Sequence, residues 1–150
     1  FNQGMQPIAG YNYGARQYTR VKEVFRLTVI CAIATTTLCF LVSELIPVPA
    51  VSLFTNDPAL IKLASNGLKT MNIAFALVGF TMVSGNFFQC IGMVKISIFL
   101  SLSRQLLFLV PLIYILPLRF AESGVWISFP ISDAISILVS AFFIIRIFRK

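Results

Sequence analysis

Asp133 is the one acid placed deep in a hydrophobic run, nine residues after Gly124 and thirteen before Arg146. On a helix that spacing sets it about 13 Å from one end of the run and about 20 Å from the other, close to the midplane of a bilayer. An ionised carboxylate at such depth is costly, so it is expected to be protonated, paired, ion-bound or turned toward a water-filled cavity. The best partner on the chain is Arg104, which follows Lys95 by nine residues and so lies about 13 Å into the neighbouring run. Two arrangements are open: a buried or cavity-facing ion pair between adjacent helices, or an Arg104 that snorkels to the headgroups while Asp133 stays wet. Asn86 and Gln89, close to Ser84, form a polar group toward one end of another run. They read either as packing glue between helices or as the lining of a polar pathway. Gln6-Pro7 lies in a short segment that runs into Gly-Tyr-Asn-Tyr-Gly, the pattern of a broken, cavity-lining helix end. Gln6, Pro7, Asn86, Gln89, Arg104 and Asp133 are therefore the candidate residues of a substrate or ion pathway.

Other chemistry finds little material. Cys31, Cys39 and Cys90 sit in apolar runs without CxxC spacing, and the chain has no histidine to complete a metal site. They read as small packing residues, and no bound metal or cofactor is expected. With five acids in all and no GxSxG or glycine-rich phosphate loop, a hydrolase or kinase site is not expected either. The fifteen phenylalanines read as lipid-facing or core residues.

The elements that must position these residues are membrane helices. A 150-residue chain that is 58% hydrophobic and 11% charged, with mean hydropathy +0.91, lies outside the range of soluble domains. Four segments approach the roughly 20 apolar residues needed to cross a hydrocarbon core: 24–46, 67–91, 96–116 and 124–145. Residues 1–9 read as the end of a fifth. The fold expected is an all-α integral membrane bundle of four complete transmembrane helices plus that helix end, forming one domain over 1–150. Phe1 opens in an apolar, proline-containing helix end with no initiator methionine before it, so the chain is expected to begin inside a longer protein.

The net charge of +7 is spread between the apolar runs, which points to membrane orientation and away from nucleic acid. Arg16, Arg20, Lys22 and Arg26 precede the first full helix and mark a cytoplasmic flank under the positive-inside rule. Alternation of the spans then puts Lys95, Arg104, Arg146, Arg149 and Lys150 on or toward the same side, against Lys62, Lys69 and Arg119 on the other, nine basic residues against three. The carboxyl terminus is expected in the cytoplasm. Pro47 and Pro49 end the first full helix, and Asn56-Asp57-Pro58 opens a short interfacial helix to Ser65. Small residues at Gly79, Ser84 and Gly85 allow close helix approach. Pro111 bends the third span and Pro117 ends it, Glu122 falls in the loop that follows, and Trp126 sits at headgroup level.

Gly4-Met5-Gln6-Pro7-Ile8-Ala9-Gly10-Tyr11-Asn12-Tyr13-Gly14-Ala15 resembles the GxQPIxGYNYGA signature at the end of the eighth helix in multidrug and toxic compound extrusion (MATE) transporters, especially the DinF-like branch. Gly124-Val125-Trp126, followed by Pro130-Ile131-Ser132-Asp133, resembles the opening of that family's last helix. The two matches are in family order and bracket nearly the whole chain. The resemblance implies the last third of a twelve-helix protein, most of its carboxyl-terminal lobe, with the amino-terminal lobe as the missing partner. It implies a secondary antiporter in the plasma (inner) membrane that exports organic, often cationic, compounds in exchange for protons or sodium ions by alternating access. In one branch of the family the coupling acids lie on the first helix; in another they lie on the seventh and tenth. The stretch matching the tenth, 67–91, has no Asp or Glu, which favours coupling from the amino-terminal lobe. The alternatives are a lipid-linked oligosaccharide or polysaccharide flippase of the same superfamily, for which more basic residues at depth would be expected, and a four-span membrane scaffold that transports nothing.

Overall fold

The computed structural model describes residues 1–149, and Met71 and Glu122 by their backbone only. Lys150 of the basic terminus, and the loop position expected for the Glu122 side chain, thus lie outside the described residues. Among the described residues seven helices follow one another: α1 (Asn2–Gly14), α2 (Tyr18–Leu45), α3 (Pro47–Ser52), α4 (Pro58–Asn72), α5 (Phe75–Cys90), α6 (Val94–Ala121) and α7 (Ser123–Phe148). Three of them, α2, α6 and α7, are each long and apolar enough to cross a membrane alone. The pair α4 and α5 makes a fourth span if its 56° bend is crossed. The chain is an all-α membrane bundle.

Several boundaries differ from the sequence expectation, each for a local reason. The first helix does not stop at residue 9; it continues through Gly10 to Gly14 and ends where Arg16 takes a positive φ of 58°. The Arg16 amide donates to Tyr13 O at 3.1 Å and the Gln17 amide to Asn12 O at 2.9 Å. This double closure satisfies the last carbonyls of a helix. The same construction ends α5, where Gly92 at φ 80° supplies the left-handed residue and the Met93 amide reaches back to Phe88 O at 2.8 Å.

Between 67 and 91 the structure holds parts of two helices where the apolar run suggests one. α4 already starts at Pro58, a favoured first-turn residue, with Asp57 Oδ1 accepting the Ala59 amide at 2.9 Å. It then runs past Gly67, over which the Trp126 ring lies, so Trp126 packs on α4. At its far end Asn72 Nδ2 donates to Ser43 Oγ on α2 at 3.0 Å, holding that end against α2 before the chain bends into α5. Pro117 does not end α6 either. The helix continues one turn, the Phe120 amide donating to Leu116 O at 2.9 Å, and the chain reverses at Ala121, φ 49° and ψ −131°.

The core lies at the end of the bundle that carries Arg16, Arg20, Lys22, Lys95, Arg146 and Arg149. Met5 and Ala9 of α1, Phe25 of α2, Val83, Phe87 and Phe88 of α5, Leu100 of α6 and Ile144 of α7 are buried together. Phe25, Phe87 and Phe148 form an aromatic triangle with centroids 4.7–5.6 Å apart. Lys22 Nζ donates to the Phe148 carbonyl at 3.3 Å, placing a cation at the negative end of the α7 dipole. Elsewhere Leu27, Ile30, Leu38 and Leu41 of α2, with Leu138 and Phe142 of α7, are exposed, as expected where the solvent is lipid.

α2 and α5 cross in close backbone contact. A Cβ added at Gly79 would meet Ala32 C and O at 2.9 Å, and Thr36 Oγ1 donates across the crossing to Ala76 O at 2.7 Å. Replacing Gly79 with Leu is expected to push these backbones apart and cost about 1–3 kcal/mol. Gly85→Ala, whose added methyl finds nothing nearer than Ser101 Oγ at 3.7 Å, should be tolerated. Thermal unfolding of both variants in detergent checks this; equal melting temperatures would contradict the crossing described.

Candidate functional site

The site is built around a local departure from α-helix geometry. Pro111 has no amide hydrogen and its ring crowds the carbonyl four residues earlier, and immediately upstream Ser103–Leu109 is wound as a π-helix. A π turn holds more residues than an α turn, each amide bonding the carbonyl five residues back, as the Val110 amide does to Gln105 O. Within this wide turn the Arg104 carbonyl oxygen also accepts a hydrogen bond from Ser132 Oγ on α7 at 2.9 Å. The next residue on α7 takes the side chain: Arg104 Nε donates to Asp133 Oδ1 at 2.7 Å. Adjacent residues of one helix thus hold both the backbone and the guanidinium of a single residue on the other.

Of the two arrangements open from sequence, the structure contains the ion pair. Asp133 is 6% exposed, whereas the Arg104 side chain retains 32%. The carboxylate is therefore enclosed, and the arginine forms the boundary between it and a cavity. Removing two charges from water is repaid only with good geometry and further hydrogen bonds. The short Nε–Oδ1 contact and the neighbouring Ser132 bond supply both.

The packed face of α7 carries serines that the sequence reading passed over. Ser128, Ser132, Ser136 and Ser140 recur every fourth residue and all are buried. Ser128 donates to Gly124 O at 2.7 Å and Ser136 to Ser132 O at 2.8 Å, so these hydroxyls are satisfied within their own helix. Four serines at helical spacing in an otherwise apolar run were the available signal, since small residues mark the packed face of a membrane helix.

A cavity of about 280 Å³ opens beside Arg104, between α5, α6 and α7. Asn86 and Gln89 line it from α5, Ser97, Ser101 and Gln105 from α6, and Ser136 from α7. A second cavity of about 200 Å³ is lined by Gln89, Cys90 and Gln6 of α1. Gln6, Asn86, Gln89 and Arg104 therefore border two cavities that share Gln89. Asp133 stands behind Arg104 and lines neither of them. Pro7 lies inside α1, exposed, and borders neither. Asn86 commits one amide hydrogen to its own helix, Nδ2 to Met82 O at 2.9 Å; the side chains of Gln89, Ser97, Ser101 and Gln105 make no hydrogen bond among the described residues. Those residues also hold no cluster of three or more His, Cys, Asp or Glu, and their cysteines are free thiols.

The family model described as MatE matches residues 1–115. The solved structure of the MATE multidrug transporter DinF-BH, determined as a ligand complex, superposes with a TM-score of 0.90 at 38% sequence identity, covering 97% of this chain and 32% of that one. A second solved chain, described only as protein A, matches with the same figures. None of the curated proteins matches. The chain thus spans 32% of the length of the solved structures to which it is similar. The match extends from the helix bearing Gln6 and Pro7 through the Arg104–Asp133 pair, so these residues stand in a transporter framework and not in an enzyme active site. The chain belongs to the MATE family of multi-pass membrane transporters.

Proposed function

We propose that the chain is the carboxyl-terminal part of a secondary antiporter that expels organic, often cationic, compounds in exchange for protons or sodium ions. The observation carrying this reading is the superposition of 97% of the chain, at 38% identity, on a MATE multidrug transporter. In this reading the helices form most of one lobe, which rocks as a body against an amino-terminal lobe so that a central cavity opens to each side in turn. Three ties favour movement as one body: Lys22 to Phe148, Thr36 to Ala76 and Arg104 to Asp133. The basic end faces the cytoplasm of a plasma (inner) membrane protein, consistent with its excess of Lys and Arg. Gln6, Asn86, Gln89 and Arg104 give the pathway its polarity, with Pro7 shaping the helix end and Asp133 anchoring Arg104.

The coupling ion does not bind at Asp133. That carboxylate already has a guanidinium 2.7 Å away, and neither α4 nor α5 contains an acid, so coupling belongs to residues outside this chain. A flippase reading is disfavoured because Arg104, the one basic residue at depth, is balanced by Asp133, so the multiple negative charges of a pyrophosphate would be left uncompensated in the span.

Membrane vesicles holding the full-length protein that carries this chain are expected to expel ethidium, a fluorescent organic cation, when a proton or sodium gradient is imposed. Vesicles holding these 150 residues alone should not, and ion-coupled ethidium efflux from them would overturn the two-lobe reading. Asp133→Asn should lower the protein's stability while leaving efflux gradient-driven; loss of the gradient dependence would place coupling at Asp133 after all. Arg104→Leu, which strands a buried carboxylate, should lower the melting temperature more than Arg104→Leu combined with Asp133→Leu. The opposite order would show that the pair does not stabilise α6 against α7.

A further inference from the structure

We propose that Arg104 is a binding residue for the carboxylate of a small organic acid, which it takes with its Nη1–Nη2 edge while Asp133 holds its Nε edge. Arginine carries five N–H donors in a rigid planar fork. One of them, on Nε, is committed to Asp133 Oδ1. Among the described residues neither Nη1 nor Nη2 has a partner, and the residue borders the 280 Å³ cavity. In a membrane span, donors that no protein group satisfies must meet water or a ligand, since lipid offers no acceptor.

The surroundings define the ligand. Arg104 is the charged residue lining this cavity, because Asp133 is enclosed behind it. An incoming molecule therefore meets a positive group first, which selects an acceptor and not an organic cation. Gln89, Ser97, Ser101 and Gln105 add amide and hydroxyl groups that make no hydrogen bond among the described residues. Two parallel N–H groups on the end of a guanidinium match the two oxygens of a planar carboxylate. Charge limits the choice further. Asp133 already balances Arg104, so a carboxylate leaves one net negative charge in the span and a phosphate dianion would leave two, at much greater cost. The volume of about 280 Å³ falls just under the usual range of ligand pockets and suits an acid with one ring or a short chain. The pairing with Asp133 also has a positioning effect: with Nε fixed and the backbone oxygen held by Ser132, the fork is oriented before the ligand arrives, which lowers the ordering cost of binding.

The test is calorimetric titration of the purified full-length protein with benzoate, using benzamide, benzylammonium and inorganic phosphate as matched probes. Benzoate is expected to bind at least tenfold more tightly than each of the other three. Two variants locate the site. Ser101→Leu fills the cavity without touching the ion pair. Arg104→Gln with Asp133→Asn removes both charges together, so that no carboxylate is left stranded. Each is expected to weaken benzoate binding at least tenfold while the protein keeps its elution profile and a cooperative melting transition. Benzamide binding as well as benzoate, phosphate matching it, or wild-type affinity in either folded variant would each overturn the proposal. The site rests on the cavity and not on the export reading, and the two fail separately. Absence of ethidium efflux in a protein that still binds benzoate through Arg104 removes only the latter, and efflux without benzoate binding removes only the former.

Discussion

A helix that crosses lipid must satisfy its polar groups from within the protein, and that requirement governs how α6 and α7 meet. The π-wound stretch of α6 carries Arg104, a charged residue in a region where water is scarce. Its main-chain oxygen is met by Ser132 and its side chain by Asp133. Neither contact is available unless α7 lies close, and small serines, two of whose hydroxyls fold back on their own helix, occupy its packed face. The irregular winding, the ion pair and Ser132 meet at one residue, and the polar cavity lies on the open side of the arginine.

The same requirement explains what could be read from the residues alone. Asp133 and Arg104 were legible because a charge deep in an apolar run is rare enough to demand a partner, and depth counting on two neighbouring spans put them within reach. The number and class of the helices were legible from the length of the apolar runs. Winding was not. The π winding is tied to tertiary contacts such as that of the Ser132 hydroxyl, which lies 28 residues away from Arg104. The bend between α4 and α5 was hidden for a related reason: hydropathy is continuous across it, while the contact of Asn72 with Ser43 is a tertiary event. Helix ends were misplaced where conformation overrode composition. Gly10 and Gly14 look like a stop, yet the chain turns at Arg16, a residue type that seldom takes a positive φ.

The distribution of apolar side chains fits a lobe whose interior is confined to one end. Aromatic rings of α2, α5 and α7 are locked together beside Lys22 and Phe148, whereas the middle of the bundle is held by hydroxyls, small residues and one ion pair. In water such a middle would be weak. In lipid, where no hydrophobic drive brings helices together, close backbone contact and polar bonds between helices are the forces available, and Gly79, Thr36, Arg104 and Asp133 supply them.

The π segment also makes the length of α6 part of its design. Loops absorb an added or lost residue, but a transmembrane helix normally cannot, since each residue turns everything beyond it by about 100°. The wide turn over Ser103–Leu109 behaves as a residue inserted inside the membrane and accommodated there. Deleting one residue from it would restore regular winding and leave the half of α6 beyond the cut facing nearly as before, because the wide turn already absorbs the rotation of the extra residue. The same deletion in the regular part of α6 would turn Pro111, Tyr114 and the reversal at Ala121 toward new neighbours. The register between the two halves of this helix is therefore a heritable feature of the span, recorded in a residue count that no hydropathy profile displays.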